Sequence, residues 1–239
     1  MELTTFWVYF NARPLFWIVI TLGAYLLASA LNRKAGGTAL LHPVLVAMLM
    51  IILLLTLSGT NYDTYFEGAQ FIHFLLGPAT VALAVPLYDH RARIRQMLLP
   101  LLVVCLSGSL TAVVTTVLIG QLFGASDALL LSMAPKSVTS PIAIGISEQI
   151  GGFPSLSAGL SLTTGIMGCL LAPLVFRVLR VRSHTSSGFA LGLTAHGFGT
   201  AYAMQRNTLA GAFAGLAMGM TGVFSSVLIP LVSQLLGLN

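Results

Sequence analysis

Charge is what this sequence has least of. Its 239 residues include only 11 Lys or Arg and 6 Asp or Glu, 7% together, where a soluble domain carries about a quarter. That scarcity excludes a fold whose solvent is water. Cysteine is equally sparse: Cys105 and Cys169 each stand in an apolar run, with no CxxC motif and no Cys/His cluster nearby. They read as small packed hydrophobes, and no metal site and no cofactor are expected. The opening residues MELTTFWVYF carry Glu2 and no Lys or Arg, so they lack the basic stretch of a cleaved signal peptide and predict an uncleaved first helix.

What the chain has is apolar length. Hydrophobic residues make up 56% of it, and a bilayer core about 30 Å thick takes roughly 20 apolar residues per helix. The expected fold is an all-α polytopic membrane protein, a single transmembrane domain over 1–239. It should hold about six to eight hydrophobic segments joined by short loops, with no room for a soluble domain. The net charge of +5 is not a nucleic-acid footprint, because the basic residues cluster in loops between spans, where they report topology.

Leu15 to Leu31 and Leu40 to Leu57 read as the first two spans, the second opened by Pro43. A polar stretch from Ser58 to Gln70 is followed by Phe71 to Tyr88, a segment broken by Gly77 and Pro78. Met97 to Phe123 is charge-free. Asp127 to Ile150 is a second broken segment, interrupted by Pro135, Lys136 and Pro141. Ser155 to Phe176, the Gly-rich Gly188 to Met204, and Thr208 to Leu236 complete the chain. Shifting the sequence by 57 residues places Pro78 on Pro135, Val81 on Val138 and Ser107-Gly108 on Thr164-Gly165, a weak repeat with units of about 71–123 and 127–180. If the loops at Arg33-Lys34, Arg91 to Arg95 and Arg177 to Arg182 share one side, 127–150 must be re-entrant. Asp127 and Glu148 then lie on the opposite face. The same counting makes 71–88 cross fully, which departs from a strict inverted repeat.

The stretch Ala134-Pro-Lys-Ser-Val-Thr-Ser-Pro-Ile142 puts a cation and three hydroxyls at membrane depth. An intramembrane lysine costs roughly 2.5 to 3.5 kcal/mol at mid-bilayer and is tolerated facing a cavity or partner. Pro135 and Pro141 prevent continuous helical hydrogen bonding, freeing backbone groups for a ligand. Lys136 and the positive end of a half-helix starting near Ser137 favour an anion, and Ser137, Thr139 and Ser140 can hydrogen-bond its remainder. The competing reading has Lys136 snorkelling to an interface and the hydroxyls bonding nearby carbonyls. His196, among glycines that include Gly199 and one helical turn before Thr200, is a second candidate, and either it or Glu148 could couple protons. In the earlier broken segment Gly77, Pro78 and Thr80 occupy the corresponding place, with Ala79 where Lys136 would be. Gly211, Gly215 and Gly219 recur every four residues, a stripe for close helix packing within the fold or in a homo-oligomer. Intramembrane hydrolysis by Ser137 and His196 finds no nearby carboxylate to orient the histidine, so no catalytic residue is assigned and an enzyme is not expected.

The runs PKSVTSPIAIGISEQIGGFPSLSA (Pro135 to Ala158), TGIMG (Thr164 to Gly168) and AHGFGTAYAM (Ala195 to Met204) resemble the LrgB/CidB family of membrane proteins, nearest its enterobacterial YohK-type branch. Ser140 stands where the family pattern has Thr, and the hydroxyl is kept. The resemblance implies a multi-pass protein of the bacterial inner membrane. It also implies one of two activities: holin-like control of murein hydrolase export with a small LrgA/CidA-type membrane partner, or carriage of small carboxylates. The residue pattern agrees with the carrier side, because one cation, a half-helix terminus and several hydroxyls suit a small hydroxy- or keto-carboxylate; together with the resemblance, this makes the expected small anionic solute a monocarboxylate of the glycolate, glycerate, lactate or pyruvate class.

Overall fold

The structure is a computed structural model that describes residues 14–38, 41–75, 78, 81–82 and 84–238. Its described residues form helices and no strands, and they group into two compact units, 1–82 and 83–239.

In the first unit α1 (Pro14–Lys34) and α2 (Pro43–Ser58) pack through small residues, Ala24 and Ala28 against Ala47 and Ile51. Asn32 Nδ2 donates to the carbonyls of Thr38 and Leu41, both at 2.8 Å, and so ties down the connecting loop. The third helix, α3 (Tyr62–Phe74), begins inside the stretch expected to be a polar connection up to Gln70. The cause is aromatic: Tyr65 stands one turn from Tyr62, meets the fully buried Trp17 edge-on at 5.5 Å, and its hydroxyl lies 3.1 Å from Thr21 Oγ1. Of the earlier broken segment, Pro78 is helical and exposed, while Gly77 and Thr80 lie outside the described residues.

The second unit opens with two short helices, α4 (Ala84–Asp89) and α5 (Arg91–Gln96), and continues into α6 (Leu98–Leu122). Then come α7 (Asp127–Met133), a 3-10 turn (Ala134–Ser137), α8 (Ser140–Ile150), α9 (Pro154–Val178), α10 (His184–Arg206) and α11 (Thr208–Leu235). Helices α1, α6, α9 and α11 are long and apolar enough to cross a membrane.

Between α7 and α8 the chain turns back. Val138 and Thr139 are both extended, with ψ of 172° and 148°, which breaks the helical path. Ser157 Oγ lies 2.8 Å from both the Ser132 carbonyl and Ser147 Oγ, and the Phe153 N–H donates to Ser132 Oγ at 2.7 Å. Residues 132 and 147 would stand more than 20 Å apart on a continuous helix, so 127–150 is a re-entrant hairpin closed at its base by a serine network.

The Gly-rich segment hides a second reversal. Inside α10, His196 has φ 42° and ψ −122°, far from helical values. A Cβ on Gly199 would overlap the Leu191 carbonyl, eight residues back along the chain. Neighbours on α11 confirm the direction. Gly188 and Gly192 abut the backbone at Ala210 and Ala214, a parallel register, whereas Thr200 meets Met218 and Gly211 meets Met204, an antiparallel one. Thus α10 is two half-helices folded at His196.

Helices α6 and α11 run parallel, Cys105 Sγ lying 3.5 Å from Thr221 Oγ1 and Val113 packing near Ile229. The first hairpin opens where α6 ends and α9 begins, and the second where α9 ends and α11 begins. They therefore enter from opposite ends of the unit. Within it the 57-residue offset takes the form of a span followed by a hairpin, 98–150 and 154–206, with the turning residues Thr139 and His196 that far apart. All seven arginines of this unit lie at the end where α10 opens, while Asp127 and Glu148 lie at the other. Of the small-residue stripe, Gly211 packs inside the chain and Gly219 faces open space.

Two outcomes are expected. In a protein freed of its own thiols by Cys105→Ser and Cys169→Ser, Ser126→Cys and Ser183→Cys should react with an impermeant maleimide from opposite faces; labelling from one face would rule out the opposed hairpins. Gly192→Val should lower thermal stability by at least about 1–3 kcal/mol through overpacking on Ala214. Gly145→Ala, with nothing within 4 Å of a new Cβ, should leave the melting temperature unchanged or higher.

Candidate functional site

The tips of the two hairpins meet on one residue of α9, Ser161, which is fully buried. Its hydroxyl donates to the Val138 carbonyl at 2.5 Å, and its carbonyl accepts from His196 Nε2 at 2.9 Å. Both reversals expose backbone that a bilayer cannot hydrogen-bond, and Ser161 satisfies part of each. Because Nε2 donates to a carbonyl, the neutral imidazole keeps its lone pair on Nδ1.

Space for the imidazole comes from Gly165, one turn further along α9, where a Cβ would stand 2.9 Å from His196 Cε1 and from Phe198 Cδ2. Phe198 meets the imidazole edge-on at 6.1 Å. A non-glycine residue at positive φ stores about 1–3 kcal/mol of strain and persists only where its surroundings hold it. Here the hold is explicit: Nε2 on Ser161, and Thr200 Oγ1 donating to the His196 carbonyl at 2.8 Å.

The Lys136 turn packs against α6, α9, α10 and α11. Lys136 is half-buried, with no hydrogen-bond or ion-pair partner among the described residues, and Ser137 is half-buried beside it. Thr139 occupies the N-cap position of α8 but makes no side-chain cap bond, and Pro141 has no N–H, so the first turn of α8 presents uncapped backbone donors at the tip. Ser140 Oγ makes only a long contact, 3.4 Å, to the Ala158 carbonyl. A cation, a helix N-terminus and several hydroxyls thus stand at the point where two hairpins meet.

Of the residues singled out from sequence, Lys136, Ser137, Thr139 and Ser140 lie on one tip and His196 on the other, and Ser161 joins the tips. Gly199 and Thr200 serve the second reversal itself. Pro135 is buried in the 3-10 turn, Pro141 opens α8, and Glu148 is exposed near the hairpin base, three turns from the tip. Sequence reasoning passed over Ser161 and Ser157. The signal was available as a stripe of small residues on α9, Ser157, Ser161, Gly165 and Cys169, each four apart and all buried.

Four helices long and apolar enough to cross a membrane, with hairpins entering the second unit from both ends, are those of an all-α membrane protein. Comparison with known proteins agrees: residues 21–235 match the model of the LrgB-like family, and the chain belongs to that family. It is 31% identical to antiholin-like protein LrgB of Bacillus subtilis, over 94% of this chain and 97% of that one. It is 32% identical to holin-like protein CidB of Staphylococcus aureus strain N315, over 92% and 96%, and 35% identical to the uncharacterized protein YxaC of Bacillus subtilis, over 90% and 93%. No solved structure matches.

The His196 geometry makes a discriminating expectation. His196→Ala keeps the unfavourable backbone and loses the bond to Ser161, so it should be less stable than His196→Gly, which relieves the strain. Equal melting temperatures for the two variants would mean that the reversal is not strained.

Proposed function

We propose that this protein is a carrier of small monocarboxylates in the bacterial inner membrane, non-enzymatic, with the site at the hairpin tips binding the solute. The observation that carries this reading is the unpartnered Lys136 beside the uncapped start of α8, at the level where both hairpins end. A carboxylate suits that pairing of an ammonium with backbone N–H groups. Ser137, Thr139 and Ser140 would read a 2-hydroxy or 2-keto substituent, and His196 is the candidate proton carrier of the site. The arginine-rich end of the second unit is assigned to the cytoplasm by the positive-inside asymmetry.

The names of the relatives support a second reading. Proteins called holin-like and antiholin-like over nearly the same length favour a role in controlled permeability together with a small LrgA/CidA-type membrane partner.

Purified protein in liposomes separates the two. Saturable uptake of labelled glycolate, lactate or pyruvate, with a trapped large dye retained, is expected for wild type. Lys136→Ala should reduce that uptake to the protein-free background while inserting normally. Uptake unchanged in Lys136→Ala would sink the carrier site. Dye release, or flux only after the small partner is added, would select the holin-like reading.

A further inference from the structure

A second polar and apolar concavity lies away from the hairpin tips, at the arginine-rich end. Its volume is about 1040 Å³, and α4, α5 and the starts of α6 and α11 form it. Tyr88, Arg91, Arg95 and Gln96 supply its polar lining, and Leu98 and Leu216 are among its apolar residues. Helices α6 and α11 are parallel with Cys105 beside Thr221, so Leu98 is level with Ala214 and Leu216 stands two residues, about 3 Å, beyond the start of α6. The concavity therefore joins basic side chains of α5 to an apolar lining beside the start of a helix long enough to cross the membrane.

The rim is prepared for an anion. Arg91 Nη1 donates to the Tyr88 carbonyl at 2.9 Å, and its guanidinium lies 4.1 Å over the Tyr88 ring, which fixes its plane. Arg95 is exposed, with no acidic partner among the described residues. Residues 84–97 hold one acid, Asp89, against three arginines. Basic pockets between spans on the cytoplasmic side suit anionic headgroups.

We propose that this concavity is a binding site for an anionic phospholipid, its phosphate held by Arg91 and Arg95 and one acyl chain lying over Leu216. The occupant is a lipid rather than a soluble phosphate because the lining beside the arginines is apolar, Leu87, Ile94, Leu98 and Leu216, and lies at the start of a helix long enough to cross the membrane. The inference is independent of what the hairpin site carries.

The test is thermal stability and native mass spectrometry of delipidated protein, with phosphatidylglycerol or cardiolipin titrated against phosphatidylcholine. Wild type should retain and be stabilised by the anionic lipids selectively. Arg91→Gln and Arg95→Gln should each weaken that binding about fivefold, and the pair about 25-fold, with the melting temperature in phosphatidylcholine unchanged. Arg180→Gln with Arg182→Gln, arginines at the same end but outside the concavity, should bind as wild type does. Leu216→Trp, which fills the apolar part of the concavity, should lose the lipid while keeping both arginines. Equal loss in the Arg180/Arg182 variant would reduce the effect to bulk surface charge and overturn the site. So would absence of selectivity for anionic lipids, or undiminished binding in Leu216→Trp.

Discussion

A bilayer offers no hydrogen bonds to backbone, and that constraint organises the second unit. A chain that stops being helical at membrane depth must find protein partners for the N–H and C=O groups it releases. This protein does so twice, at Val138-Thr139 and at His196, and sends part of both debts to Ser161. One hydroxyl and one carbonyl on a spanning helix thereby fix the depth and the approach of two hairpins that enter from opposite ends. The glycines and serines of α9 follow from that arrangement, since only small side chains let a hairpin tip come this close.

The two reversals are built differently. The first is flanked by prolines: Pro141 has no N–H to return to the Ser137 carbonyl and sits in the first turn of α8, so the helix restarts there after the extended Val138 and Thr139, whose dihedrals are not unusual. The second has no proline. It depends on a strained histidine whose side chain is anchored on a neighbouring helix, with Gly199 letting the returning half-helix pass Leu191.

That difference explains what could be read from the chain beforehand. Membrane character, the long spans and the break around Lys136 follow from local composition, which sequence displays directly. The reversal at His196 follows from tertiary contacts with Ser161 and Gly165, and from sequence it appears only as a histidine among glycines. Helix α3 was hidden for a similar reason. Its polar composition suggested a connection, whereas Tyr62 and Tyr65 give it a face that packs on Trp17. The glycine stripe of α11 also proved mixed, since its first member is consumed by packing on Met204 while Gly219 stays open.

The opposed hairpins also bear on how a solute could pass. In a simple pore a continuous aqueous path is the resting condition, and nothing requires a cation at mid-depth. Here each hairpin stands between the site and one end of the unit, and both tips bond to the same residue. In the proposed carrier, passage through such a site would call for loosening one tip while the other stays seated. The bonds available for that are unequal: a serine hydroxyl on a backbone carbonyl at one tip, and a titratable imidazole on a carbonyl at the other. That anchor survives protonation, since Nε2 donates to the Ser161 carbonyl in the neutral and the charged imidazole alike, so the strain stored at His196 favours release of the second tip only where another group displaces that bond.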